Sequence, residues 1–382
     1  MKKLTVVIVS YNVRYYLEQC IVSVQRAAEG IDCEICVVDN DSHDDTVGYL
    51  SSRFGDTITL IESQHNLGFA RANNIAIKQT LSEYVLLLNP DTFIAEDSLR
   101  QVLDFMDAHP RAGGAGVMMH NADGNRAPES RRGLPTPGVS FLKMLGFSSR
   151  YYMSHLPWNE PCPIEVMSGA FCMLRRSVLD EVGLLDQSFF MYGEDIDLSY
   201  RILKGGYENW YVPATIVHYK GESTQKTSYR YVHVFYQAML IFFRKHYGNL
   251  SFLVTIPVKV AIYFRAFLAL LGMLYQRLRR LLGFDAKDHA EWSYYFVGAE
   301  PMLDACRQLA RRKGLSASFH PAASWPVEGK DCRDYSFVVY DTDLFSFRQI
   351  IADASRRSSL RELICTYSSK TRAIITPKEI IR

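Results

Sequence analysis

Net charge is almost absent from this sequence of 382 residues, in which 43 Lys and Arg residues are set against 41 Asp and Glu residues. Proteins that bind nucleic acids usually carry a clear basic excess, so the composition does not favour that class. The chain also has no internal repeat and no low-complexity tract. With 48% hydrophobic and 22% charged residues, it has the composition of an ordinary globular protein, and its length favours two domains.

The sequence favours neither a secretory leader nor a zinc site. The apolar run after Met1-Lys2-Lys3 is too short for a signal peptide, and it leads into polar Ser10-Tyr11-Asn12 without a cleavage site. Cys33-Glu34-Ile35-Cys36 has no second cysteine pair at zinc spacing, and it lies on a predicted strand, which favours buried free thiols. We therefore expect a reducing, cytoplasmic compartment.

No hydrophobic run is long enough and free enough of charge to predict a membrane-spanning helix. The best candidate, Leu250–Tyr275, contains Pro257, Lys259 and Arg265. A charge near the bilayer centre costs about 2.5–3.5 kcal/mol, so two charges disfavour a spanning helix. A basic cluster follows, made of Arg277, Arg279 and Arg280. This pattern predicts helices that lie on an anionic membrane surface; the alternative is a helical hairpin packed on the protein's own core.

What is present is an alternation of strands and helices in the first part of the chain. Strands are predicted at Thr5–Val9, Glu34–Val38, Thr57–Ile61, Tyr84–Leu88 and Ala115–Met119, with helical patterns between them. This order predicts an α/β fold with a mostly parallel sheet and helices on both faces. Residues 120–165 look irregular. We expect a first domain at 1–228, an apolar helical segment at 229–284, and a small α/β domain at 285–382. Strands of this last domain are predicted near Tyr294–Val297, Phe337–Tyr340, Leu363–Thr366 and Ala373–Ile375.

Three of the predicted strands end in polar clusters. Val9-Ser10-Tyr11-Asn12 ends the first, Val38-Asp39-Asn40-Asp41-Ser42 the second, and Leu88-Asn89-Pro90-Asp91 the fourth. In parallel sheets, ligands bind beyond the carboxyl ends of the strands. An acid directly after a buried strand, such as Asp91, can hold a divalent cation that bridges a diphosphate. The alternative is an ordinary Asx-Pro turn with a solvated Asp91.

A second acidic cluster opens a predicted helix. Glu194, Asp195 and Asp197 lie within four positions, after Gly193 and before a helical run that stops at Gly205-Gly206. Acids in a first helical turn are often no more than caps that complement the helix dipole. The spacing separates their roles, because Asp197 points about 200° away from Asp195 on a helix. We therefore expect Asp197 to cap the helix or to form a surface ion pair.

Six motifs together resemble glycosyltransferase family 2, most closely its rhamnosyltransferase-like branch. In chain order they are Val-Ile-Val-Ser-Tyr-Asn, Val-Val-Asp-Asn-Asp-Ser, Asn-Leu-Gly-Phe-Ala-Arg-Ala-Asn-Asn, Leu-Leu-Leu-Asn-Pro-Asp, Met-Ser-Gly-Ala-Phe and Gly-Glu-Asp-Ile-Asp-Leu. The resemblance covers residues 4 to about 225. It implies a nucleotide-binding fold of the GT-A type and inverting transfer from a nucleotide-diphosphate sugar, usually with Mg²⁺ or Mn²⁺.

The resemblance also implies roles for single residues. Asp195 matches the family's catalytic base, and the adjacent Glu194 would orient it or the acceptor hydroxyl. Asp91 matches the last acid of the metal motif, whose first acid is replaced here by Asn89, and His218 would approach the metal and the diphosphate. The remaining expected contacts with the donor sugar nucleotide come from Ser10, Tyr11, Asn12, Asp39, Asn66, Gly68, Asn73, Ser168, Gly169, Arg131 and Arg132.

Two adjacent arginines and a second acidic motif lie outside the six motifs. Arg131 and Arg132 would neutralise the leaving diphosphate if their loop covers it; otherwise they are a solvated pair. Tyr340-Asp341-Thr342-Asp343 spells a metal-binding pattern after an apolar strand, but no nucleotide-binding motif accompanies it. We interpret it as a strand-end loop in a C-terminal domain whose expected role is contact with a protein partner or regulation.

The predicted function is transfer of rhamnose or another deoxy sugar to a glycan or lipid-linked acceptor, in the synthesis of a cell-surface polysaccharide. The expected location is the inner face of the cell membrane, as a peripheral protein. Two alternatives remain at this point. A nucleotidyltransferase would normally show a Gly-rich basic first loop, unlike Ser10-Tyr11-Asn12-Val13. A catalytically silent scaffold would have no need to retain both Asp91 and Asp195.

Overall fold

Two sheets organise the chain. The computed structural model describes residues 1–219, 229–248, 292–324 and 336–382, together with a few single positions between 256 and 279. Within these residues, nine strands form a first sheet in the order β3-β2-β1-β4-β8-β6-β9-β5, with β7 paired to β9. These strands are β1 (Lys2–Ser10), β2 (Cys33–Asp39), β3 (Thr59–Glu62), β4 (Ser82–Leu88), β5 (Thr92–Ile94), β6 (Ala112–His120), β7 (Cys162–Ile164), β8 (Phe171–Arg175) and β9 (Glu208–His218).

The first four strands are parallel because each is followed by a helix that returns the chain to the same edge. β8 then runs antiparallel between β4 and β6, while β6 and β9 are again parallel. The helices of this part are α1 (Arg14–Ala27), α2 (Thr46–Phe54), α3 (Phe69–Gln79), α4 (Ser98–Ala108), α5 (Pro137–Met144), α6 (Arg176–Val182), α7 (Glu194–Lys204) and α8 (Tyr229–Tyr247). The predicted α/β class with a mostly parallel sheet is confirmed.

Both faces of the first sheet are buried, which explains the unbroken apolar run of β1. Successive side chains of a strand point to opposite faces. Val6 and Ile8 therefore pack with Leu17 of α1 in one core, while Val7 packs with Ala72 of α3 in the other. A strand covered by helices on both sides needs apolar residues at every position. This arrangement leaves the carboxyl ends of β1, β2 and β4 together at one edge.

The prediction that residues 120–165 are irregular is wrong in part. α5 begins at Pro137, after the Thr136 side chain accepts a hydrogen bond from the backbone N–H of Val139. Proline suits the first helical turn because its missing N–H would have no helical partner there. β7 also lies in this range and pairs with β9. The prolines that suggested a loop therefore include one that starts a helix.

A second sheet follows near the C-terminus, and the sequence patterns located most of it. Its described strands are β10 (Ser293–Gly298), β11 (Ser316–Pro321), β12 (Ser336–Asp341), β13 (Leu363–Ser368), β14 (Ala373–Ile375) and β15 (Ile380–Ile381), in the order β11-β10-β12-β13-β14-β15. Two helices, α9 (Glu300–Lys313) and α10 (Phe347–Arg356), accompany it. β11, β15 and both helices were not predicted. Asp341 hydrogen-bonds the backbone N–H groups of Ala299 and Asp343, as a strand-end loop would require.

The second sheet packs on the first. Phe347 of α10 lies in one buried cluster with Tyr16 of α1 and Phe93 of β5. Polar contacts cross the same boundary: the Tyr16 hydroxyl donates to the carbonyl of Thr376, and the Glu96 carboxylate accepts from the N–H of Phe347. The expected division at residues 228 and 284, and the role in partner contact expected for the C-terminal part, stay predictions.

Among the described residues, no helix is both long enough and apolar enough to cross a membrane. The predicted surface segment Leu250–Tyr275 lies mostly outside the described residues, as do Arg277, Arg280 and the stretch 220–228. The single positions that are described there are helical, and their apolar side chains are exposed. These side chains are Ile256, Val260, Tyr263, Leu271, Leu274, Tyr275 and Leu278.

Candidate functional site

One cavity of about 290 Å³ lies beyond the carboxyl ends of β1 and β4, where the sequence predicted a site. Most of the predicted site residues line it. They are Ser10, Tyr11, Asn66, Asp91, Arg132, Ser168, Gly169, Glu194, Asp195 and His218. Glu129, Tyr151 and Tyr192 also line the cavity, although none of them was predicted as a site residue. Tyr192 has a positive φ of 68° directly before Gly193. This backbone conformation is uncommon for residues other than glycine and is found more often at functional sites.

The remaining predicted donor-site residues lie around this cavity rather than on its lining. Asn12, also at a positive φ, ties the end of β1 to the loop after β2: its side chain accepts from the N–H of His43. Asp39 is buried; one carboxylate oxygen accepts from the N–H of Ser42 and the other has no hydrogen-bond partner. The side-chain oxygen of buried Asn73 also lacks a partner. Buried acceptors without partners are costly, which makes them candidate ligand contacts.

Gly68 shows why the Asn-Leu-Gly-Phe motif needs glycine. Its φ is +78°, in the region that disfavours side chains, and a Cβ atom there would lie 2.4 Å from the carbonyl oxygen of Phe190. The side-chain oxygen of Asn66 accepts from the N–H of Gly68 and from the amide of Asn40. The loop before α3 is therefore held tightly at the mouth of the cavity.

Asp91 and His218 meet because β5 and β9 pair antiparallel, with Thr92 opposite His218. The His218 Nε2 atom lies 3.2 Å from the Asp91 carboxylate and 3.4 Å from the side-chain nitrogen of Asn89. In the described part of the chain, no three His, Cys, Asp or Glu side chains form a complete metal site. A buried carboxylate beside an imidazole and an amide nevertheless fits a divalent cation that takes further ligands from a diphosphate.

Asp195 lies at the first turn of α7, as predicted. Gly193 precedes the helix with a φ of +84°, and the helix begins at Glu194. One oxygen of Asp195 accepts from the Arg132 guanidinium at 2.5 Å and from the N–H of Gly169 at 3.2 Å. The other oxygen accepts from its neighbour's N–H, that of Ile196. Three hydrogen-bond donors thus fix the orientation of the Asp195 carboxylate at the cavity.

Arg131 and Arg132 point in different directions. Arg132 lines the cavity and binds Asp195, whereas the guanidinium of Arg131 lies 3.6 Å from the ring centroid of Trp158 and donates to the carbonyl of Leu156. Arg131 is buried, so it is not the solvated residue of the alternative interpretation. Neighbouring positions of an extended chain face opposite sides, which explains the divergence.

Glu194 is buried beside Asp195 with one oxygen that has no hydrogen-bond partner. Burial, and then the negative charge of Asp195, raise the pKa of Glu194 to about 8. Both effects penalise a second charge at this place. The first turn of α7 therefore holds a protonated carboxyl group at Glu194 near neutral pH, directly before Asp195.

The prediction for Asp197 is wrong: it neither caps α7 nor lies at the surface. Its fully buried carboxylate binds Arg201 at 2.9 Å, Lys245 at 2.8 Å and His246 at 2.7 Å. Asp197 thus joins α7 to α8. The spacing of four to Arg201 was visible in the sequence, but the partners on α8 were not, because nothing local indicates which helix packs there.

Comparison with known proteins gives consistent matches. Residues 5–183 match the model of glycosyl transferase family 2. N-acetylglucosaminyl-diphospho-decaprenol L-rhamnosyltransferase of Mycobacterium tuberculosis is 29% identical over 258 residues, which are 63% of this chain and 83% of that protein. Rhamnosyltransferase WbbL of Escherichia coli K12 is 29% identical over 163 residues, which are 40% of this chain and 61% of that protein.

Among solved structures, S. aureus TarS 1-349 matches 63% of this chain and 64% of its own, at 18% identity and a TM-score of 0.42. The chain therefore spans less than two thirds of the length of WbbL and of the TarS fragment. The family match covers β1 to β4 and the Asp91 motif. Residues 5–183 form a domain of glycosyl transferase family 2, and the chain is similar to relatives that are named as rhamnosyltransferases.

Proposed function

We propose that this glycosyltransferase moves rhamnose, or another deoxy sugar, from a nucleoside-diphosphate donor to a hydroxyl of a glycan or lipid-linked acceptor, with inversion at the anomeric carbon. The observation that carries the proposal is that Asp91 with His218 and Asp195 with Glu194 line the same cavity. The first pair suits a divalent cation that binds a diphosphate, and the second pair suits an acceptor hydroxyl. The name of the M. tuberculosis relative, a rhamnosyltransferase acting on a diphospho-decaprenol, supports the choice of sugar and acceptor.

The donor nucleotide would occupy the β1–β2 side of the cavity. Tyr11 and Asn12 border the nucleoside there, and the partner-free oxygen of Asp39 accepts a hydrogen bond from the base or ribose. The sugar and diphosphate then extend past the residues of the α3 and β8 loops, which are Asn66, Gly68, Asn73, Ser168 and Gly169. The close approach of backbone at Gly169 to Asp195 brings the sugar and the catalytic carboxylate together.

Asp91 and His218 would hold Mg²⁺ or Mn²⁺, with a weaker contribution from Asn89. When bound, the cation neutralises charge on the leaving diphosphate. The motif supplies one carboxylate where a pair of acids would supply two, so binding of the cation depends strongly on Asp91. His218 keeps its place because the pairing of β9 with β5 fixes its backbone beside Thr92.

The chemistry is a direct displacement. As the acceptor oxygen forms a bond to the anomeric carbon, its proton passes to the Asp195 carboxylate, and the bond from the anomeric carbon to the diphosphate breaks. The nucleoside diphosphate leaves with the electron pair of that bond. Hydrogen bonds from Arg132 and from the N–H of Gly169 hold the Asp195 carboxylate in position before the reaction. Attack from the side opposite the leaving group inverts the configuration.

A panel of nucleotide sugars tests this proposal. Thermal-shift measurements on the full chain identify which donor binds, and we expect dTDP-rhamnose or a related deoxy-sugar nucleotide to give the largest stabilisation. Incubation with that donor and a polyprenyl-diphosphate-linked sugar should then release nucleoside diphosphate and form a product of inverted configuration, read by NMR. Absence of any donor-induced shift, or a product of retained configuration, contradicts the proposal.

We also propose that the protein works as a peripheral protein on the inner face of the cell membrane, where a lipid-linked acceptor is met. The exposed apolar positions between residues 256 and 278 recur at helical spacing, such as Ile256, Val260 and Tyr263, which suits helices lying in a membrane interface. Flotation of the full chain with anionic phosphatidylglycerol vesicles at low salt tests this. Protein that stays at the bottom of the gradient under those conditions rules out the surface location.

A further inference from the structure

An exposed apolar surface lies on α5 and the residues that follow it. Four side chains make up this surface, which we call the α5 ridge: Phe141, Leu142, Leu145 and Phe147. Their exposed fractions range from 38% to 66%. Isolated exposed apolar residues are common, but four within one short helix and its end form a contiguous patch, and such patches mark binding surfaces.

A single cation lies within this surface. Lys143 is half-buried, and its ammonium group lies 3.3 Å from the ring centroid of Tyr151 and 5.0 Å from that of Tyr152. Burial, followed by the positive charge of Arg132, lowers the pKa of Lys143 to about 8. In the part of the chain that the structure describes, Lys143 contacts aromatic rings and forms no salt bridge. The charge of Glu129 also acts on Lys143, but no carboxylate forms an ion pair with it among the described residues, and a partly desolvated ammonium group of this kind favours an anionic ligand.

Lys143 connects the α5 ridge to the reaction centre. Tyr151, on which the ammonium group lies, lines the cavity together with Arg132. The backbone of Tyr151 is fixed next to Arg132, since its carbonyl accepts from the N–H of Gly133 at 2.7 Å. Arg132 in turn binds Asp195. The order along this path is therefore a carboxylate that takes a hydroxyl proton, then a cation, then an apolar surface.

We propose that the α5 ridge and Lys143 receive the prenyl-diphosphate end of a lipid-linked acceptor, with Lys143 at the diphosphate and the ridge against the prenyl chain. The inference rests on the proposed function, because it takes Asp195 as the place where the acceptor hydroxyl reacts. Such an acceptor has the matching groups in the same order: a sugar hydroxyl for Asp195, an anionic diphosphate for Lys143, and a hydrocarbon chain for the α5 ridge. Attachment to anionic headgroups in general uses several exposed Lys and Arg residues, whereas residues 137–147 contain one.

Farnesyl diphosphate is the probe that tests this inference. Its binding to the full chain is measured by equilibrium dialysis with excess dTDP present, which fills the donor end of the cavity. We expect farnesyl diphosphate to bind at least about 10-fold more tightly than inorganic diphosphate, because burial of apolar surface adds to the charge interaction. The double variant Phe141→Ser/Phe147→Ser should lose about 10-fold or more in affinity for farnesyl diphosphate while leaving inorganic diphosphate unaffected. Lys143→Gln should weaken both.

Matched controls lie at the opposite edge of the sheet, before β4. Leu81→Ser removes an equally exposed apolar side chain there, and Lys78→Gln removes a cation. Both should bind farnesyl diphosphate as the unchanged protein does. All substituted ridge residues are exposed, so the variants should retain the thermal unfolding midpoint.

Three outcomes overturn the inference. They are no binding of farnesyl diphosphate by the unchanged protein, unchanged binding by the ridge variants, and ridge variants that lose only attachment to phosphatidylglycerol vesicles, which would make this surface a general membrane contact. Failure of the proposed function is distinguishable, because it appears as the absence of any nucleotide-sugar shift. A protein that binds the sugar nucleotide but not farnesyl diphosphate through the ridge refutes only the acceptor surface.

Discussion

Three hydrogen bonds fix the orientation of the Asp195 carboxylate at the start of α7. We predict that Asp195→Asn keeps donor binding but lowers turnover about 10²–10⁴-fold, the usual contribution of a general base. The amide keeps one oxygen for Arg132, so the local structure should persist. Steady-state transfer and donor thermal shift measure the two effects. Asp104→Asn, at an exposed acid of α4, is the control, and near-normal transfer by Asp195→Asn would show that Asp195 serves only the helix.

Asp91 is the only carboxylate of its motif, because Asn89 stands at the other acidic position. We predict that Asp91→Ala abolishes cation-dependent transfer, whereas Asn89→Ala has a milder effect, since an amide oxygen is a weaker ligand for a hard cation. The measurement is transfer rate against added Mg²⁺ or Mn²⁺ after treatment with EDTA. Full activity of the unchanged protein in excess EDTA would show that no dissociable cation takes part.

The protonation of Glu194 predicts how stability changes with pH. Burial raises its pKa to about 8, so the folded state binds the proton more tightly than the unfolded state, whose carboxyl has a pKa of about 4.3. This contribution to stability is complete below the unfolded pKa and is lost as the pH rises through about 8. We predict that Glu194→Gln, which cannot lose a proton, unfolds at a higher temperature than the unchanged protein at pH 9 and that the difference shrinks at pH 5. An equal difference at both pH values would contradict this.

At the scale of elements, α7 and α8 are joined by charge as well as by packing. Asp197 of α7 binds Lys245 and His246 of α8, and Phe242 of α8 packs in the same cluster as Ile196. α7 also carries Asp195, so the helix that presents the proposed base is braced by α8, the first helix of the segment expected at 229–284. This contact makes Asp197 a structural residue although it lies two positions from the proposed base.

We predict that Asp197→Asn lowers the free energy of unfolding by about 3 kcal/mol, because a neutral amide replaces the fully buried carboxylate in its charge-assisted hydrogen bonds to α7 and α8. Lys245 keeps a second carboxylate partner in Asp186. Transfer by the molecules that remain folded should stay close to normal. Chemical denaturation measures the loss. Asp304→Asn provides the comparison, since its exposed pair with Arg307 should contribute less than about 1 kcal/mol. Equal effects of the two substitutions would mean that the buried cluster adds no stability.

At the scale of the whole molecule, the C-terminal sheet supports the elements that carry the site. Phe347 of α10 lies 5.1 Å, between ring centroids, from Phe93 of β5, and Phe93 packs against Tyr219, the residue after His218. Glu96 accepts hydrogen bonds from the N–H groups at the start of α10, where a negative charge also complements the helix dipole. The strand that follows Asp91 is therefore covered by the second sheet.

We predict that Phe347→Ala destabilises the full chain by about 3–5 kcal/mol, the usual cost of deleting a buried Phe side chain. Because the two sheets share this cluster, the unchanged protein should unfold in one transition. The unfolding transition of the variant should either split into two or move as a whole to a lower temperature. Calorimetry of both proteins, with and without a bound nucleotide, measures this. Leu360→Ala, at a partly exposed position, is the control. If the variant has the same unfolding profile as the unchanged protein, the Phe347 contact does not stabilise the two sheets against each other.

The sequence by itself determined the features that depend on neighbouring positions. The α/β class, the five strands predicted first and the start of α7 after Gly193 follow from apolar periodicity and from the backbone preference of glycine. Polar clusters at strand ends were placed correctly around one cavity, because parallel strands bring their carboxyl ends to one edge.

Only the tertiary structure decided the contacts between distant positions. Arg132 with Asp195, Asp197 with Lys245 and His246, and Phe347 with Phe93 join residues separated by 48 positions or more, measured from Asp197 to Lys245. Periodicity indicates which face of an element is buried, but it carries no information on which element covers that face. The directions of the Arg131 and Arg132 side chains likewise depend on distant partners, which are Trp158 for Arg131 and Asp195 for Arg132. Those choices are made by packing, which is a property of the whole folded chain.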